Sequence, residues 1–190
     1  LPDFNRLMRL TTHRLGQVAN QTELGRAVGL SQATVHRWLN LLETSYMLVR
    51  LPAFSLNRSK RLIRSPKLYW SDTGVALHLA ATDAPVGAHL ENLVLMDLLA
   101  WRGARTDRAD LYYWRTTAGE EVDFVIETGG RLLPVEIKST TRPRLGDTSA
   151  LRSFRTEYAD VTTNGLLLHA GEETEWLAPG ILAAPWWRVI

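Results

Sequence analysis

Residues 120–138 read EEVDFVIETGGRLLPVEIK, and this stretch decides the fold of the C-terminal part of the chain. Apolar and polar residues alternate with a period of two on either side of Gly129 and Gly130, and β-branched residues are frequent. A Gly-Gly pair between two such arms is typical of a β-hairpin with a two-residue turn. The sequence therefore predicts a hairpin in which Thr128 lies opposite Arg131.

The register of this hairpin brings two carboxylates together. It sets Asp123 opposite Glu136, and Glu121 opposite Lys138. All four side chains are expected on one face of the ribbon. The residues expected on the other face are apolar: Val122, Phe124, Ile126, Val135 and Ile137. Cross-strand partners are about 5 Å apart, so two opposed acids repel each other unless a cation lies between them.

Paired carboxylates beside a lysine indicate a site for a hard divalent cation. Oxygen ligands favour Mg²⁺ or Mn²⁺, and we predict that Asp123 and Glu136 hold one of these ions. The ammonium of Lys138 would orient a water or stabilise charge on a phosphate oxygen. Glu91, in a helix predicted over residues 87–102, is the candidate for a third carboxylate. The alternative is a solvent-facing strand surface whose acids and bases pair with one another.

Residues 21–42 have the layout of a helix-turn-helix. Gly29 suits the left-handed backbone at the end of the first helix, Leu30 would fill the turn, and Ser31 can cap the second helix. The inward face of the second helix is marked by apolar residues at helical spacing: Val35, Trp38, Leu39 and Leu42. Several independent positions therefore agree on this motif.

Further elements on both sides extend the motif into a larger fold. A helix over about residues 3–15 is expected before it, and strands at residues 46–51 and 68–70 are expected after it. Three helices followed by a two-stranded hairpin make a winged helix. We therefore place a winged helix-turn-helix at residues 1–71 and a second domain at residues 72–190.

Charge is distributed unevenly along the chain. Residues 1–67 contain eleven Lys or Arg and three acidic residues, a net charge of +8, whereas residues 68–190 have a net charge of −6. A basic module attracts polyanions, and the second helix of such a motif commonly enters the major groove, so DNA is the predicted partner. The residues expected to contact it are Gln32, Thr34, His36, Arg37, Arg58, Lys60 and Arg61. The alternative is a protein–protein or interdomain adaptor.

Composition excludes several kinds of site from these 190 residues. There is no cysteine, so disulfides, iron–sulfur clusters and cysteine-ligated zinc are excluded. The histidines show no zinc-binding spacing, and no G-x-x-x-x-G-K-[ST] run is present to form a P-loop. The apolar runs are too short to cross a bilayer and no secretory signal opens the chain, so we expect a cytoplasmic protein without a membrane partner.

Asp123 and the run Glu136-Ile137-Lys138 resemble the motif of the PD-(D/E)XK nuclease-like superfamily. In that superfamily an Asp on one strand and Glu-x-Lys on the next bind Mg²⁺, often with an acid from a preceding helix. The resemblance implies a nuclease-like α/β sandwich with a mixed sheet. It also implies catalytic roles for Asp123, Glu136, Lys138 and Glu91, of which the three acids would bind the metal.

The whole chain resembles the C-terminal region of a family of bacterial and archaeal AAA-type ATPases of unknown function. There, a winged helix is followed by a nuclease-like domain. The matching runs are residues 24–42, 66–74, 90–92, 112–115, 120–124 and 135–139. The resemblance implies an upstream ATPase domain of the same protein as partner, with ATP bound only in that domain. The sequence departs from the nuclease-like motif in two places. Glu121 stands in place of the motif's proline, and no clear Gln-x-x-x-Tyr run follows Lys138.

The sequence thus predicts an α+β protein with two functions left open. In the first, Asp123 and Glu136, with Glu91 as the candidate third ligand, hold Mg²⁺ or Mn²⁺ while Lys138 assists the attack of water on a phosphodiester. In the second, the nuclease-like domain is a catalytically inactive scaffold. The chain would then act as a DNA- or protein-binding module for the ATPase domain.

Overall fold

A computed structural model describes residues 2–57 and 64–189 of the chain. Three residues predicted to contact DNA lie outside the described residues: Arg58, Lys60 and Arg61. The described chain combines α-helices with a two-stranded and a six-stranded sheet, so the predicted α+β class is confirmed. Within the described residues, no helix has the length and apolar character needed to cross a membrane.

The chain divides into two compact units. The first comprises Leu1–Pro52 and Leu62–Met96, and the second comprises Ala53–Arg61 and Asp97–Ile190. Elements of the first unit are, in chain order, α1 (Pro2–Thr12), α2 (Gln21–Val28), α3 (Gln32–Thr44), β1 (Leu48–Leu51), β2 (Lys67–Trp70), α4 (Thr73–Ala80) and α5 (Gly87–Ala104), the last of which continues into the second unit. Strands β1 and β2 pair antiparallel.

Local capping explains why α2 and α3 begin and end where they do. The side chain of Asn20 accepts hydrogen bonds from two backbone amides of the first turn of α2. Gly29 ends that helix with φ at +72°, a left-handed conformation that glycine adopts at little cost. Ser31 then accepts a hydrogen bond from the amide of Thr34 at the start of α3. The predicted turn is therefore confirmed.

The apolar face of α3 anchors the core of the first unit. Val35, Leu39 and Leu42 are buried as predicted, and Trp38 is partly buried at the margin of the same core. Their core neighbours come from the other elements of this unit: Leu7, Ala19, Leu24, Leu48 and Leu68. Burial of such side chains, about 1.5–3 kcal/mol for each large one, is what holds these short helices together.

The division of the chain differs from the predicted boundary after residue 71. Residues 72–96 belong with the first unit, because a side chain of α5 is hydrogen-bonded to the backbone of β2. The side chain of Asn92, fully buried, accepts from the amide of Trp70 at 2.8 Å and donates to its carbonyl oxygen at 2.9 Å. Asp72, predicted as a helix cap, does accept a hydrogen bond from the amide of Val75 and so begins α4.

The second unit is built on a mixed sheet. After the last residues of α5 its elements are β3 (Ala109–Arg115), β4 (Glu121–Thr128), β5 (Arg131–Lys138), a 3₁₀ turn (Leu145–Thr148), α6 (Ser149–Glu157), β6 (Gly165–His169), β7 (Glu175–Ala178), β8 (Ile181–Pro185) and a second 3₁₀ turn (Trp186–Arg188). The strand order is β3-β4-β5-β6-β8-β7. Strands β5, β6 and β8 run parallel, and the remaining pairs are antiparallel.

Helical residues cover both faces of this sheet. On one face, Leu151 and Phe154 of α6 pack in a buried cluster with strand residues that include Val125, Leu132 and Leu167. On the other face, residues of α5 and apolar side chains from the strands line a cavity: Leu98, Trp101, Ile126, Leu133, Val135, Leu166 and Leu168. The strands alternate between these two apolar environments, which fixes their register.

The hairpin of β4 and β5 has the predicted register over most of its length. Gly129 and Gly130 both have positive φ, as a type I′ turn requires. Thr128 pairs with Arg131, and the pairing continues to Phe124 opposite Val135. The Gly-Gly turn was therefore a sufficient signal for the alignment of the two strands.

A β-bulge breaks the predicted alternation in β4. Tyr112 of β3 pairs with Val125, whereas Trp114 pairs with Val122, so two residues of β4 lie opposite one residue of β3. A bulge of this kind shifts the following side chains to the opposite face. Val122 accordingly packs in the same cluster as Val125, and Ile126 lines the cavity on the other face. The prediction that Val122 and Ile126 share a face is therefore wrong.

Candidate functional site

The bulge lies at Asp123, the first of the predicted catalytic residues. The pairing recorded between β4 and β5 stops at Phe124 and Val135, one position before Asp123 and Glu136. In place of a backbone bond, the Oδ2 atom of Asp123 accepts a hydrogen bond from the amide of Ile137 at 2.9 Å. The bulge therefore turns this carboxylate toward β5, the strand that carries the other two predicted residues.

Glu136 and Lys138 form an ion pair near the end of β5. The Nζ atom of Lys138 lies 2.6 Å from Oε1 of Glu136, a short charge-assisted hydrogen bond. The side chain of Glu136 is 8% exposed, and that of Lys138 is 35% exposed. Two residues apart on one strand, they project from the same face. A buried carboxylate thus has an ammonium group that also reaches solvent.

The charges around Lys138 keep it protonated. Burial alone would lower the pKa of Lys138, but the carboxylates of Glu136, Asp123 and Asp147 outweigh this effect and raise the pKa above its ordinary value. At neutral pH the residue is therefore a fixed cation and not a general base. The contribution of Asp123 also indicates that all three predicted residues of this unit share one electrostatic environment.

Glu91 has partners of its own in the first unit. Its Oε1 atom accepts hydrogen bonds from Nζ of Lys67 at 3.1 Å and from the hydroxyl of Tyr69 at 2.5 Å. Gly16 has φ of +66°, and a Cβ atom built there would lie 2.8 Å from Oε2 of Glu91. Sequence reasoning missed Lys67 and Tyr69, because nothing local marks a lysine on a buried strand as the partner of a distant acid. The role of Glu91 as a metal ligand stays a prediction.

The residues predicted to contact DNA from α3 differ in exposure. Gln32, His36 and Arg37 are exposed, whereas Thr34 is partly buried. The hydroxyl of Thr34 lies 2.9 Å from that of Ser31 and belongs to the helix cap. His36 bonds to an asparagine one turn later in the same helix. Three of these four residues of α3 are therefore exposed, and their contact with DNA stays a prediction.

His169 is a residue near this site that sequence reasoning missed. Parallel pairing of β5 with β6 sets His169 beside Lys138. The side chain is buried, and its Nδ1 atom accepts a hydrogen bond from the amide of Gly171 at 2.9 Å. No sequence motif could have found it, because its position depends on pairing between strands that are far apart in the chain.

The donor set of the site suits a hard cation with incomplete protein ligation. Among residues 2–57 and 64–189, no group of three or more His, Asp or Glu side chains is arranged to hold a metal ion. Mg²⁺ commonly needs only one or two carboxylates, because waters and phosphate oxygens complete its shell. The oxygen ligands of Asp123 and Glu136 are of the kind that Mg²⁺ and Mn²⁺ prefer, and the binding of such an ion by these residues stays a prediction.

Comparison with known proteins yields families and relatives without an assigned activity. Residues 86–189 match a domain of unknown function, DUF4143, and residues 1–86 match another, DUF8612. Uncharacterized proteins of Mycobacterium bovis and Mycobacterium tuberculosis are each 31% identical over 96% of this chain and 41% of their own length. An uncharacterized protein of Haemophilus influenzae is 22% identical over 80% of this chain and 38% of its own. No solved structure shows significant similarity to the chain.

Proposed function

The chain belongs to the DUF4143 family, and we propose that its second unit is a Mg²⁺- or Mn²⁺-dependent phosphodiesterase that hydrolyses nucleic acid. One observation carries the proposal: the ion pair of Glu136 and Lys138 lies at a strand end where the bulge turns Asp123 toward β5. A partly exposed ammonium beside two carboxylates suits the binding of a metal ion and a phosphate group together.

The fold specifics are part of this proposal. We propose a nuclease-like PD-(D/E)XK sandwich for the second unit and a winged helix for the first. Support for the former comes from an acid-bearing hairpin, β4–β5, followed by α6 and a parallel strand, β6. Support for the latter comes from three helices followed by the antiparallel pair β1–β2.

Each residue of the site has a distinct part in the proposed hydrolysis. Asp123 and Glu136 hold the divalent cation, which when bound supplies Lewis-acid activation of water and neutralises phosphate charge. Lys138, kept protonated by its acidic neighbours, donates hydrogen bonds to a non-bridging phosphate oxygen and stabilises the charge that develops there. The amide of Ile137 holds the Asp123 carboxylate in position. The oxygen of water bonds to phosphorus, the phosphorus–oxygen ester bond breaks, and the proton lost by the water reaches the leaving oxygen through solvent to give an alcohol.

Cleavage assays with single- and double-stranded DNA and RNA test the proposal. We expect cleavage in Mg²⁺ or Mn²⁺ and none in EDTA. Asp123→Asn removes the charge but keeps an oxygen that can accept from the Ile137 amide, so the fold should persist while the rate falls about 100-fold or more. Glu157→Gln, an exposed carboxylate on α6, is the matched control and should cleave normally. Metal-dependent cleavage that is absent, or equal in Asp123→Asn, would contradict the proposal.

A second function is favoured by the exposed side of α3. Gln32, His36 and Arg37 are exposed on one helix of the segment of residues 1–67, which has a net charge of +8. In this alternative the second unit is an inactive scaffold, and the chain binds DNA or protein for an AAA-type ATPase domain. The two mycobacterial relatives are more than twice as long as the region they share with this chain, which leaves room in them for such a domain.

The salt dependence of DNA binding tests this alternative. Contacts to several phosphates should give a steep fall in affinity with salt. Arg37→Ala should lower the slope of log Kd against log salt by about one if the residue contacts a phosphate. Arg26→Ala, an exposed arginine on α2, is the control. A flat salt response would remove nucleic acid as a partner and leave a protein adaptor.

A further inference from the structure

His169 ends β6 directly beside the proposed active site. The parallel register pairs it with Lys138, and it pairs Leu167 with Glu136. Paired residues of neighbouring strands project from the same face, so the imidazole lies on the face of the sheet that carries Glu136 and Lys138. The carboxyl ends of parallel strands meet at one edge of a sheet, and ligands commonly bind there in open α/β sheets.

The loop after β6 fixes the tautomer of His169. Because the amide of Gly171 donates to Nδ1 at 2.9 Å, the neutral imidazole carries its proton on Nε2. A Cβ atom at residue 171 would collide with the carbonyl oxygen of Thr141 and would lie 2.9 Å from Nδ1. Only glycine lets this loop close on the ring, so the orientation of the imidazole is built into the backbone.

The Nε2 donor of His169 has no hydrogen-bond partner in the described chain. The residue is 1% exposed, and its Nε2 atom is buried. A buried N–H group without an acceptor costs free energy that an apolar side chain of similar size would avoid. The residue thus has one nitrogen held by a hydrogen bond and one buried nitrogen without a hydrogen-bond partner among the described residues. A ligand that brings an acceptor would complete its hydrogen bonds.

We propose that His169 is a substrate-binding residue whose Nε2–H donates to an oxygen of the phosphate group held by Lys138. This inference rests on the proposed phosphodiesterase function. Because Nε2 is buried, the atoms that cover it have to move before the entering oxygen can reach it. The histidine thereby adds a neutral donor, with a direction set by the loop, beside the partly exposed ammonium of Lys138.

A cavity lies beside His169 at the same edge of the sheet. It has a volume of about 570 Å³ and is lined by His169, Thr141 and Arg142 as well as by the glutamates that follow β6. These glutamates are Glu172, Glu173 and Glu175. These glutamates would repel phosphates, so we expect the substrate phosphate to lie on the Lys138 side of His169 and the substrate backbone not to cross the cavity.

Two substitutions separate substrate binding from a purely structural role. His169→Asn keeps an acceptor for the Gly171 amide but removes the donor at Nε2. His169→Gln places an amide donor near the position of Nε2 but lacks the short-range acceptor. Substrate binding by Nε2 predicts that His169→Asn is the impaired variant and that His169→Gln resembles the wild type. A role confined to holding the loop predicts the opposite order.

Binding of a fluorescein-labelled decathymidylate in EDTA tests this independently of cleavage. Fluorescence anisotropy should give a Kd about 10-fold higher for His169→Asn than for the wild type. His169→Gln should lie within about threefold of the wild type, and thermal unfolding should show that both variants fold. Equal Kd values for wild type and His169→Asn, an affinity lost only in His169→Gln, or no binding by the wild type would each overturn the inference. The metal-dependent cleavage assay is judged separately, so failure of the proposed function is distinguished from failure of this one.

Discussion

Each unit contains a glutamate–lysine ion pair, and the two pairs differ in which partner is more deeply buried. In the first unit the side chain of Lys67 is 1% exposed and that of its partner Glu91 is 14% exposed. In the second unit the carboxylate of Glu136 is the buried end, at 8%, and Lys138 is 35% exposed. The cation is therefore the more buried partner in the first unit, and the anion is the more buried partner in the second unit.

This difference indicates different roles for the two pairs. Glu91 also accepts a hydrogen bond from Tyr69, so the first pair ties α5 to β2 inside its own unit. Lys138 lies at the end of β5, where its ammonium reaches solvent and can bind a group from outside. A pair with an enclosed cation serves structure, whereas a pair with an accessible cation suits chemistry.

The largest expected effect on stability comes from removing the enclosed cation. Lys67→Met leaves the Glu91 carboxylate without its ion-pair partner and should lower the free energy of unfolding by about 3–5 kcal/mol. Urea denaturation followed by tryptophan fluorescence measures this. The double variant Lys67→Met with Glu91→Leu should recover much of the loss, because no charge then remains to be compensated. A loss below about 1 kcal/mol in the single variant would show that the first pair is not a structural clamp.

Removing the accessible cation should affect activity far more than stability. Lys138→Met should lower the rate of metal-dependent cleavage about 100-fold, because the transition-state charge loses its donor. This variant also leaves the buried carboxylate of Glu136 without its ammonium partner, so its free energy of unfolding should fall, but by less than in Lys67→Met, because solvent reaches this pair at Lys138. A loss of unfolding free energy in Lys138→Met as large as that in Lys67→Met would show that the two ion pairs have the same structural role.

A glycine beside the enclosed pair offers a sharper steric test. Gly16→Ala introduces a Cβ atom 2.8 Å from Oε2 of Glu91, in a backbone conformation with φ of +66°. Gly29 has a similar φ of +72° but no atom within 4 Å of an added Cβ, so Gly29→Ala measures the backbone cost alone. We expect the free energy of unfolding to fall by about 1 kcal/mol in Gly29→Ala and by about 2 kcal/mol in Gly16→Ala, as measured by thermal unfolding. Equal losses in the two variants would show that the region around Glu91 accommodates the added Cβ atom with no further loss of stability.

The smallest effect is a dependence on alkaline pH. The pKa of Lys138 is raised in the folded protein, so its stabilising contribution is complete below the ordinary lysine pKa of about 10.4. That contribution is lost as the pH rises through the raised value. The difference in unfolding free energy between wild type and Lys138→Met should therefore be constant from pH 6 to 9 and shrink only above about pH 10.4. A difference that already shrinks near pH 8 would contradict the raised pKa.

Sequence patterns predicted the parts of the molecule that short-range chemistry determines. The Gly129-Gly130 turn fixed the alignment of the β4–β5 hairpin, and the prediction holds as far as Phe124 opposite Val135. Gly29 and Ser31 predicted where α2 ends and α3 begins. In each case the decisive residues are neighbours along the chain, so their backbone preferences are readable from the sequence itself.

The missed features depend on contacts between distant segments. The bulge at Asp123 arises from pairing with β3, whose residues precede it in the chain and carry no turn signal. The place of His169 follows from parallel pairing of β5 with β6 across an intervening helix. The partnership of Glu91 with Lys67 spans 24 residues and two different elements. Periodicity describes one element at a time and therefore cannot reveal any of these.

The proposed function requires that Asp123 and Glu136 form a two-carboxylate site for a divalent cation beside Lys138. Titration of the chain with Mn²⁺, followed by electron paramagnetic resonance, tests it most directly. We expect one bound ion per chain in the wild type and in Glu157→Gln, and loss of that ion in Asp123→Asn and in Glu136→Gln. A wild type that binds no Mn²⁺, or variants that bind it as tightly as the wild type, would contradict the claim.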